Sequence, residues 1–407
     1  MSNLHRFLFV VFLVFLIALR VLLHLKTPNN QIVPKGTQIK FEATVKNEPK
    51  ISDKNQVISI ADGKIYTELY PRYAVGDKLL VEGEFDEGGR MFRGKLQKIG
   101  EVSGLGSFRS KVRQLISQNI QGLLPVREAT LVAGTVLGLD SIDKNFHDEL
   151  VKTGTIHVVV VSGQNLMIVA ALFLAMGPIV GRRRSLVIAV AAVLAYAFLT
   201  GFEPPVVRAS IMVLVSTIAV FLGRENDTLW SLFVAAAVMV LIWPAALFEI
   251  SFQLTFAATL GIMTLGRIIS NLFFDSKLAQ SEQFRILNLA AIPISAYVFT
   301  APIILYYFGG VSPVAPIANI LVAEVVAPIM VLGFLVCAVS LVFMPLAQIL
   351  AYFAYVPAFY FSQVVSVFAK IPIEQITFGK GNLVFVVGFY VVILGVIRIF
   401  TNKSKLD

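Results

Sequence analysis

Long apolar runs separated by short polar segments fill most of the chain after residue 155. A helix needs about 20 apolar residues to cross a bilayer, and these runs reach or approach that length. Together with an apolar run at the N-terminus, they predict an α-helical polytopic membrane protein of about ten spans. The later candidate spans are residues 156–180, 186–199, 206–222, 229–242, 247–265, 287–307, 325–343, 347–368 and 383–399. Two shorter apolar runs, 129–139 and 315–324, are predicted to be half-helices.

The N-terminal apolar run extends from residue 7 to residue 25 and is interrupted by Arg20 and His24. Arg6 precedes it, and no cleavage site of the small-x-small type follows it. We therefore predict that residues 1–27 form a membrane anchor whose N-terminus lies in the cytoplasm.

Residues 28–105 have a different pattern, in which apolar and polar positions alternate over short stretches. Such alternation predicts strands, here at residues 39–45, 56–61, 64–69, 77–85 and 90–100. Because so short a domain must eliminate free sheet edges, these five strands predict a small all-β, OB-like barrel. Twelve basic residues nearly balance eleven acidic ones between Lys35 and Glu101, so no strong electrostatic attraction for nucleic acid is visible in this domain.

Five aromatic side chains of this domain have two interpretations. They are suited to stacking on nucleic-acid bases, and they are equally suited to filling the core of the barrel. The five are Tyr66, Tyr70, Tyr73, Phe85 and Phe92.

Residues 106–154 connect the predicted barrel to the long apolar runs. A helical stripe of apolar residues over 108–124, with basic residues off the stripe, predicts an amphipathic helix on the membrane surface. The apolar run after it and the polar segment that ends at Gly154 predict a re-entrant or interfacial hairpin. The basic candidates for contacts with DNA or the membrane surface are Arg109, Lys111, Arg113 and Arg127.

The stretch from Lys152 to Met167 puts polar side chains at the start of the first long span, where lipid cannot solvate them. Four β-branched residues followed by Ser162 and Gly163 indicate a break in the helix. Backbone freed inside a membrane is tolerated where it is buried in protein or lines a water-filled cavity. The stretch therefore either lines a path or forms a seam of close helix packing, and the residues favour neither. The polar residues, which fall within about half of a helical circumference, are His157, Ser162, Gln164 and Asn165.

Further polar residues occur inside or at the ends of the later spans. Ionisable residues are costly in lipid and usually face the interior of a bundle. Arg208 either contributes to a polar pore or forms a buried ion pair with Glu249 or Glu324. The recurrence of polar residues in separate segments favours a shared polar interior, and the further pore candidates are Gly163, Glu249, Gln253, Asn319 and Glu324.

Composition agrees with the membrane assignment, since 57% of the residues are hydrophobic and 14% are charged. The net charge of +9 is concentrated in loops, and basic loops mark the cytoplasmic side. With Arg182, Arg224 and the C-terminal tail in the cytoplasm, both termini are predicted to be cytoplasmic and the barrel extracytoplasmic. A single cysteine and four scattered histidines provide no metal-binding motif, so neither a metal nor another cofactor is predicted.

Four segments, taken in order, resemble the ComEC family of competence DNA-uptake channels. They are HVVVVSGQN, GFEPPVVRASIM, WPAALFEISFQLTFAATLGI and FGGVSPVAPIANILVAEVVAP. His157, Ser162, Gly163 and Asn165 match the family pattern in the first segment, whereas Gln164 replaces the usual Leu. In the later segments, Pro205, Arg208 and Ala209 match the family motif, and Thr255 replaces a Ser between Phe252 and Phe256.

This resemblance implies a channel that admits one strand of DNA across the cytoplasmic membrane, with residues 155–400 as the channel domain and 401–407 as a cytoplasmic tail. The implied partners are single-stranded DNA, the bilayer, a DNA receptor, a separate nuclease and a cytosolic ATPase. Many family members carry a metallo-β-lactamase-like domain, but this sequence has no His-rich metal motif. We therefore expect a protein that is not an enzyme.

Two other functions fit the residues. An ion-coupled secondary transporter of a small solute would use the same intramembrane Glu residues as ion sites. An intramembrane serine protease would use Ser162 and His157, but these lie about 140° apart on a helical wheel, which disfavours a catalytic pair.

Overall fold

The computed structural model describes residues 15–23, 38–45, 49–51, 55–60, 63–68, 70–85, 91–102, 104–138, 142–159, 163–202, 204–221, 228–274, 282–373, 376–377 and 381–403. Of the predicted site residues, Ser162 lies outside these ranges. So do most of the predicted tail, residues 404–407, and the first 14 residues of the predicted anchor.

A six-stranded sheet forms the N-terminal β region and contains the five predicted strands. The strand order is β1-β5-β6-β4-β3-β2, and all neighbours are antiparallel except β4 and β6. The sequence did not indicate β2, which has only two residues. The strands are β1 Gln38–Thr44, β2 Lys50–Ile51, β3 Asn55–Ile60, β4 Gly63–Glu68, β5 Asp77–Phe85 and β6 Met91–Glu101. An OB-type closure of this sheet stays a prediction.

The core of the β region contains Tyr73, one of the five aromatic residues that were suited either to base stacking or to core packing. Ile58, Ile65 and Leu79 are fully buried, and Tyr73 packs with them. The Tyr73 hydroxyl donates a hydrogen bond to the Leu96 carbonyl over 3.0 Å, so this ring belongs to the core. Tyr70 is instead 68% exposed.

Helices follow the β region, and left-handed glycines end several of them. Gly138, Gly154 and Gly201 adopt positive φ angles at the C-terminal caps of α3, α4 and α8, a conformation that glycine adopts without steric cost. The stop predicted at Gly154 is thereby confirmed. The helices from the N-terminus to this point are α1 15–23, α2 Leu105–Leu123, α3 Val126–Leu137, α4 Lys144–Thr153, α5 Ile156–Val159, α6 Gly163–Leu174, α7 Gly177–Val180 and α8 Arg182–Thr200.

The remaining helices are α9 Pro204–Phe221, α10 Thr228–Ile242, α11 Ile250–Gly261, α12 Arg267–Phe274, α13 Glu282–Phe308, α14 Ala315–Ser340, α15 Met344–Ala369 and α16 Leu383–Lys403. A 3₁₀ turn, Pro244–Phe248, precedes α11, and a π-helical segment, Ile262–Gly266, joins α11 to α12. Two short strands, β7 Gly310–Val311 and β8 Ile376–Thr377, pair between the last helices.

The largest apolar core is built around α3. All residues from Glu128 to Leu137 are buried, which fits the apolar character of this helix on every side. A Cβ on Gly333 would lie 2.9 Å from Val136 Cγ2, so glycine permits the close approach of α14 to α3. The position of the predicted hairpin relative to the membrane stays a prediction.

The α2 helix packs one of its faces against the bundle, while its position on the membrane surface stays a prediction. Arg113, Ile116 and Ile120 are buried on one of its faces. The Asn119 side chain donates a hydrogen bond to the Ser340 carbonyl at the end of α14 over 3.2 Å. The helix is therefore packed against the bundle, although Phe108 on another face is exposed.

The predicted half-helix over 315–324 is wrong, because α14 is one continuous helix from Ala315 to Ser340. Pro328 lies inside it. A proline removes one backbone hydrogen bond, here the one that would reach Glu324. Membrane helices tolerate this loss when neighbouring elements compensate, so the helix continues.

Six helices in the described part of the chain are long and apolar enough to cross a membrane. They are Gly163–Val180, Arg182–Thr200, Ile250–Ser270, Ala291–Phe308, Ala315–Ser340 and Met344–Ala369. Three shorter apolar helices, Val206–Val215, Trp230–Ile242 and Leu383–Ile399, accompany them. A multi-pass membrane protein is thus supported, while the figure of about ten spans stays a prediction.

Candidate functional site

The candidate site is centred on Arg208, in the second turn of α9. Arg208 is only 5% exposed, and its Nε and Nη1 atoms have no hydrogen-bond partner among the residues that the structure describes. The guanidinium Cζ lies 5.5 Å from the centre of the Phe256 ring on α11. Arg208 is therefore a buried cation whose one distinct electrostatic partner among the described residues is an aromatic face.

Gly163, at the start of the described part of α6, provides the space for this arginine. A Cβ on Gly163 would lie only 2.5 Å from Arg208 Nη2, a separation that real Cβ atoms do not show. The glycine therefore allows the guanidinium to pack directly against the backbone of the central stretch. The predicted helix break itself falls on residues 160–162, which are outside the described ranges.

The buried ion pair considered for Arg208 is not found. Glu249, which caps α11, and Glu324, on α14, are both exposed. In the described part of the chain, the acidic residues that form ion pairs with lysine or arginine are Asp77, Glu82, Glu101 and Glu149. Neither proposed partner therefore neutralises Arg208 there.

His157 and Asn319 meet at one backbone carbonyl. The Gly154 oxygen lies 3.0 Å from His157 Nδ1 and accepts a longer hydrogen bond of 3.5 Å from Asn319 Nδ2. Gly154 also touches the first residue of α14, since a Cβ on it would lie 2.6 Å from Ala315 Cβ. The Oδ1 atom of Asn319 is buried and accepts no hydrogen bond from any described residue. These two predicted residues thus share a polar turn where α4 ends and α14 begins.

Asn165 supports the packing interpretation of the central stretch. It is 1% exposed, and its Nδ2 donates to the Thr135 carbonyl over 3.1 Å. The Tyr196 hydroxyl donates to the same carbonyl over 3.0 Å. The two donors tie α6 and α8 to the last turn of α3, whereas the neighbouring Gln164 is exposed. The sequence did not indicate Tyr196, which looks like an ordinary member of an apolar run.

Gln253 makes a local contact. Its Nε2 donates to the Leu247 carbonyl in the preceding 3₁₀ turn over 3.1 Å. It therefore stabilises the entry to α11, and the contact of Arg208 with this helix is made by Phe256. Phe256 ends the family-like stretch that begins at Phe252, but the sequence does not predict its contact with Arg208.

The four basic candidates of the connecting region occupy different environments. Arg113 is 4% exposed and its Nη2 donates to the Gly138 carbonyl over 3.1 Å, so its predicted surface position is wrong. Arg127 forms two hydrogen bonds with the Glu149 carboxylate, at 3.1 and 3.2 Å. Lys111 is exposed, and Arg109 is partly buried.

Arg109 packs on a second glycine. A Cβ on Gly201 would lie 3.3 Å from Arg109 Nη1, and Gly201 has a φ of +90° in the connection between α8 and α9. Arg109 Nε is buried and has no hydrogen-bond partner within the described ranges. This basic residue therefore lies at the same end of α9 as Arg208.

A protein-family model described as Competence protein matches residues 136–402. The match includes Gly163, Arg208 and Phe256, whereas Arg109 and the β region lie outside it. No curated protein and no solved structure matches the chain.

Proposed function

Since the chain belongs to the competence protein family of the ComEC type, which acts in DNA uptake, we propose that it forms the channel that admits single-stranded DNA across the cytoplasmic membrane. Its apolar helices support a place in the membrane. The observation that carries the proposal is the buried guanidinium of Arg208, which lacks an acidic partner among the described residues.

A buried cation without a counter-ion is energetically costly. The effective penalty for removing one ion from water is several kcal/mol. A cation–π contact such as that with Phe256 contributes about 0.5–2 kcal/mol, which does not offset this penalty. A passing phosphate would supply both negative charge and acceptors for Nε and Nη1.

Transport also requires that the phosphate leave. Conduction needs binding that is favourable enough for entry and weak enough for release. A single arginine beside an aromatic ring meets this requirement better than a cluster of cations. The polar turn at Gly154, where His157 and Asn319 meet, offers further polar groups along the same bundle.

The sidedness of the proposed channel is based on the loop charges, and its partners are based on the family. The β region faces the outside, and both termini face the cytoplasm. The chain conducts the strand and does not cleave it, so a separate nuclease, a DNA receptor and a cytosolic ATPase complete the process. The bases of the strand and the exposed Tyr70 are compatible with stacking.

Uptake in a deletion strain tests the proposal. Loss of the gene is expected to leave surface-bound labelled DNA unchanged while internalised DNA falls to background, and the intact gene is expected to restore entry. The alternative, an ion-coupled transporter, predicts normal DNA entry together with loss of pH-gradient-driven uptake of a radiolabelled solute.

A further inference from the structure

Two arginines of this chain share an unusual arrangement. Each guanidinium covers a glycine, Arg208 on Gly163 and Arg109 on Gly201. Each has at least one buried N–H group that finds no hydrogen-bond partner in the described part of the chain. An anion that reached either guanidinium would supply the acceptor that these N–H groups lack.

Arg109 differs in this respect from the other basic candidates near it. Arg113 is committed to the carbonyl at the end of α3, and Arg127 is committed to Glu149. Lys111 lies two residues away on the same helix but is exposed, where water already solvates its charge. Arg109 is the one of the four that combines partial burial with an unpartnered Nε among the described residues.

The chain holds the two arginines close together. From Gly201 to Arg208 the chain advances by seven residues, and the last four of these steps, from Pro204 to Arg208, follow α9. A helix rises about 1.5 Å per residue, and three further residues extend at most about 11 Å. The Cα atoms of Arg208 and of Gly201, on which Arg109 packs, therefore lie within about 17 Å of each other. Even at the rise of about 3.4 Å per nucleotide along the axis of duplex DNA, one strand spans that distance within a few nucleotides.

We propose that Arg109 is a second phosphate-binding residue, which contacts the DNA backbone ahead of Arg208 and passes the strand to it. The inference rests on the proposed function and adds a residue outside the region matched by the family. Partial burial makes Arg109 the outer contact, and deeper burial makes Arg208 the inner one. The ligand class is a phosphodiester chain, recognised through its backbone charge.

The salt dependence of binding tests this inference. The full chain is placed in phosphatidylcholine nanodiscs, and the affinity for a fluorescent oligothymidylate is measured over a range of salt concentrations. Each phosphate contact contributes about 0.7 to the slope of log affinity against log salt for a single strand. Arg109→Gln is expected to reduce the slope by about 0.7, Arg109→Lys to restore it, and the matched control Lys111→Gln to leave it unchanged.

The outcomes separate this inference from the proposed function. An unchanged slope in Arg109→Gln, with a reduced slope in Arg208→Gln, would reject the role of Arg109 and leave the channel proposal intact. Unchanged slopes in both variants would reject both. If the slopes stay unchanged and phosphatidylglycerol raises the Tm of the wild type but not of Arg109→Gln, the arginine binds a lipid headgroup and the inference is wrong.

Discussion

The guanidinium of Arg208 occupies the space that a side chain on Gly163 would fill, with Nη2 placed 2.5 Å from the Cβ position. Two segments far apart in the sequence therefore depend on each other at this point. A methyl group at residue 163 and the present position of the guanidinium exclude one another.

Gly163→Ala is accordingly expected to displace Arg208 and to lower DNA entry. Loss of one charge-assisted hydrogen bond costs about 1.5–3 kcal/mol, which corresponds to about tenfold or more in the affected step. Entry of labelled DNA, normalised to protein abundance, measures the effect. Gly388→Ala is the matched control, since a Cβ there has no neighbour within 4 Å. Equal entry in both variants would show that the contact has no role in transport.

A second prediction concerns Asn165 and Gln164, which are adjacent but differ in burial. Asn165→Leu removes a buried donor to Thr135, and it is expected to lower stability by about 1 kcal/mol. Gln164→Leu, which changes an exposed residue, is expected to leave the Tm of the purified protein unchanged. Similar Tm values for the two variants would contradict the packing role of Asn165.

The sequence predicted strands and helix ends better than it predicted the contacts between distant segments. Strand alternation located five strands of the β region, and Gly154 located the end of a helix correctly. The surface position of Arg113 was predicted from its charge. Its spacing to Ile116 and Ile120, at i+3 and i+7, places it instead on the buried face of the helix. The half-helix predicted over residues 315–324 instead continues through Pro328 to Ser340.

The pairing of Arg208 was not accessible from the sequence. Glu249 and Glu324 were both reasonable partners by chemistry, and only the tertiary arrangement shows that both are exposed. The contact with Phe256 likewise joins α9 to α11 and has no local signal. Asn165 is buried, as its place in an apolar run indicates, and its side chain packs against α3 through the Thr135 carbonyl.

A third prediction concerns Arg113, which lies on α2 and is buried against the C-terminal end of α3. Arg113→Gln is expected to destabilise the protein by about 1.5–3 kcal/mol, because the Gly138 carbonyl loses a charged donor. Thermal unfolding in detergent provides the measurement, with Lys111→Gln as the exposed control on the same helix. A Tm equal to that of the control would show that the Arg113 contact is not stabilising.

The fourth prediction concerns sidedness and uses cysteines in a Cys337→Ser background. An impermeant maleimide is expected to label Lys95→Cys in the β region of intact cells. It is expected to label Ser404→Cys only after permeabilisation, because the basic loops place the C-terminus in the cytoplasm. The opposite labelling pattern would invert the topology.

The most direct test of the central claim is internalised DNA in a strain that carries Arg208→Gln, compared with the double variants Arg208→Gln/Glu249→Gln and Arg208→Gln/Glu324→Gln. We predict normal protein abundance, normal surface-bound DNA and about tenfold or more reduced entry in all three, since a lost phosphate contact is not replaced by removing an exposed carboxylate. Recovery of both abundance and entry in either double variant would instead show that Arg208 neutralises a carboxylate, and it would contradict a role in binding DNA.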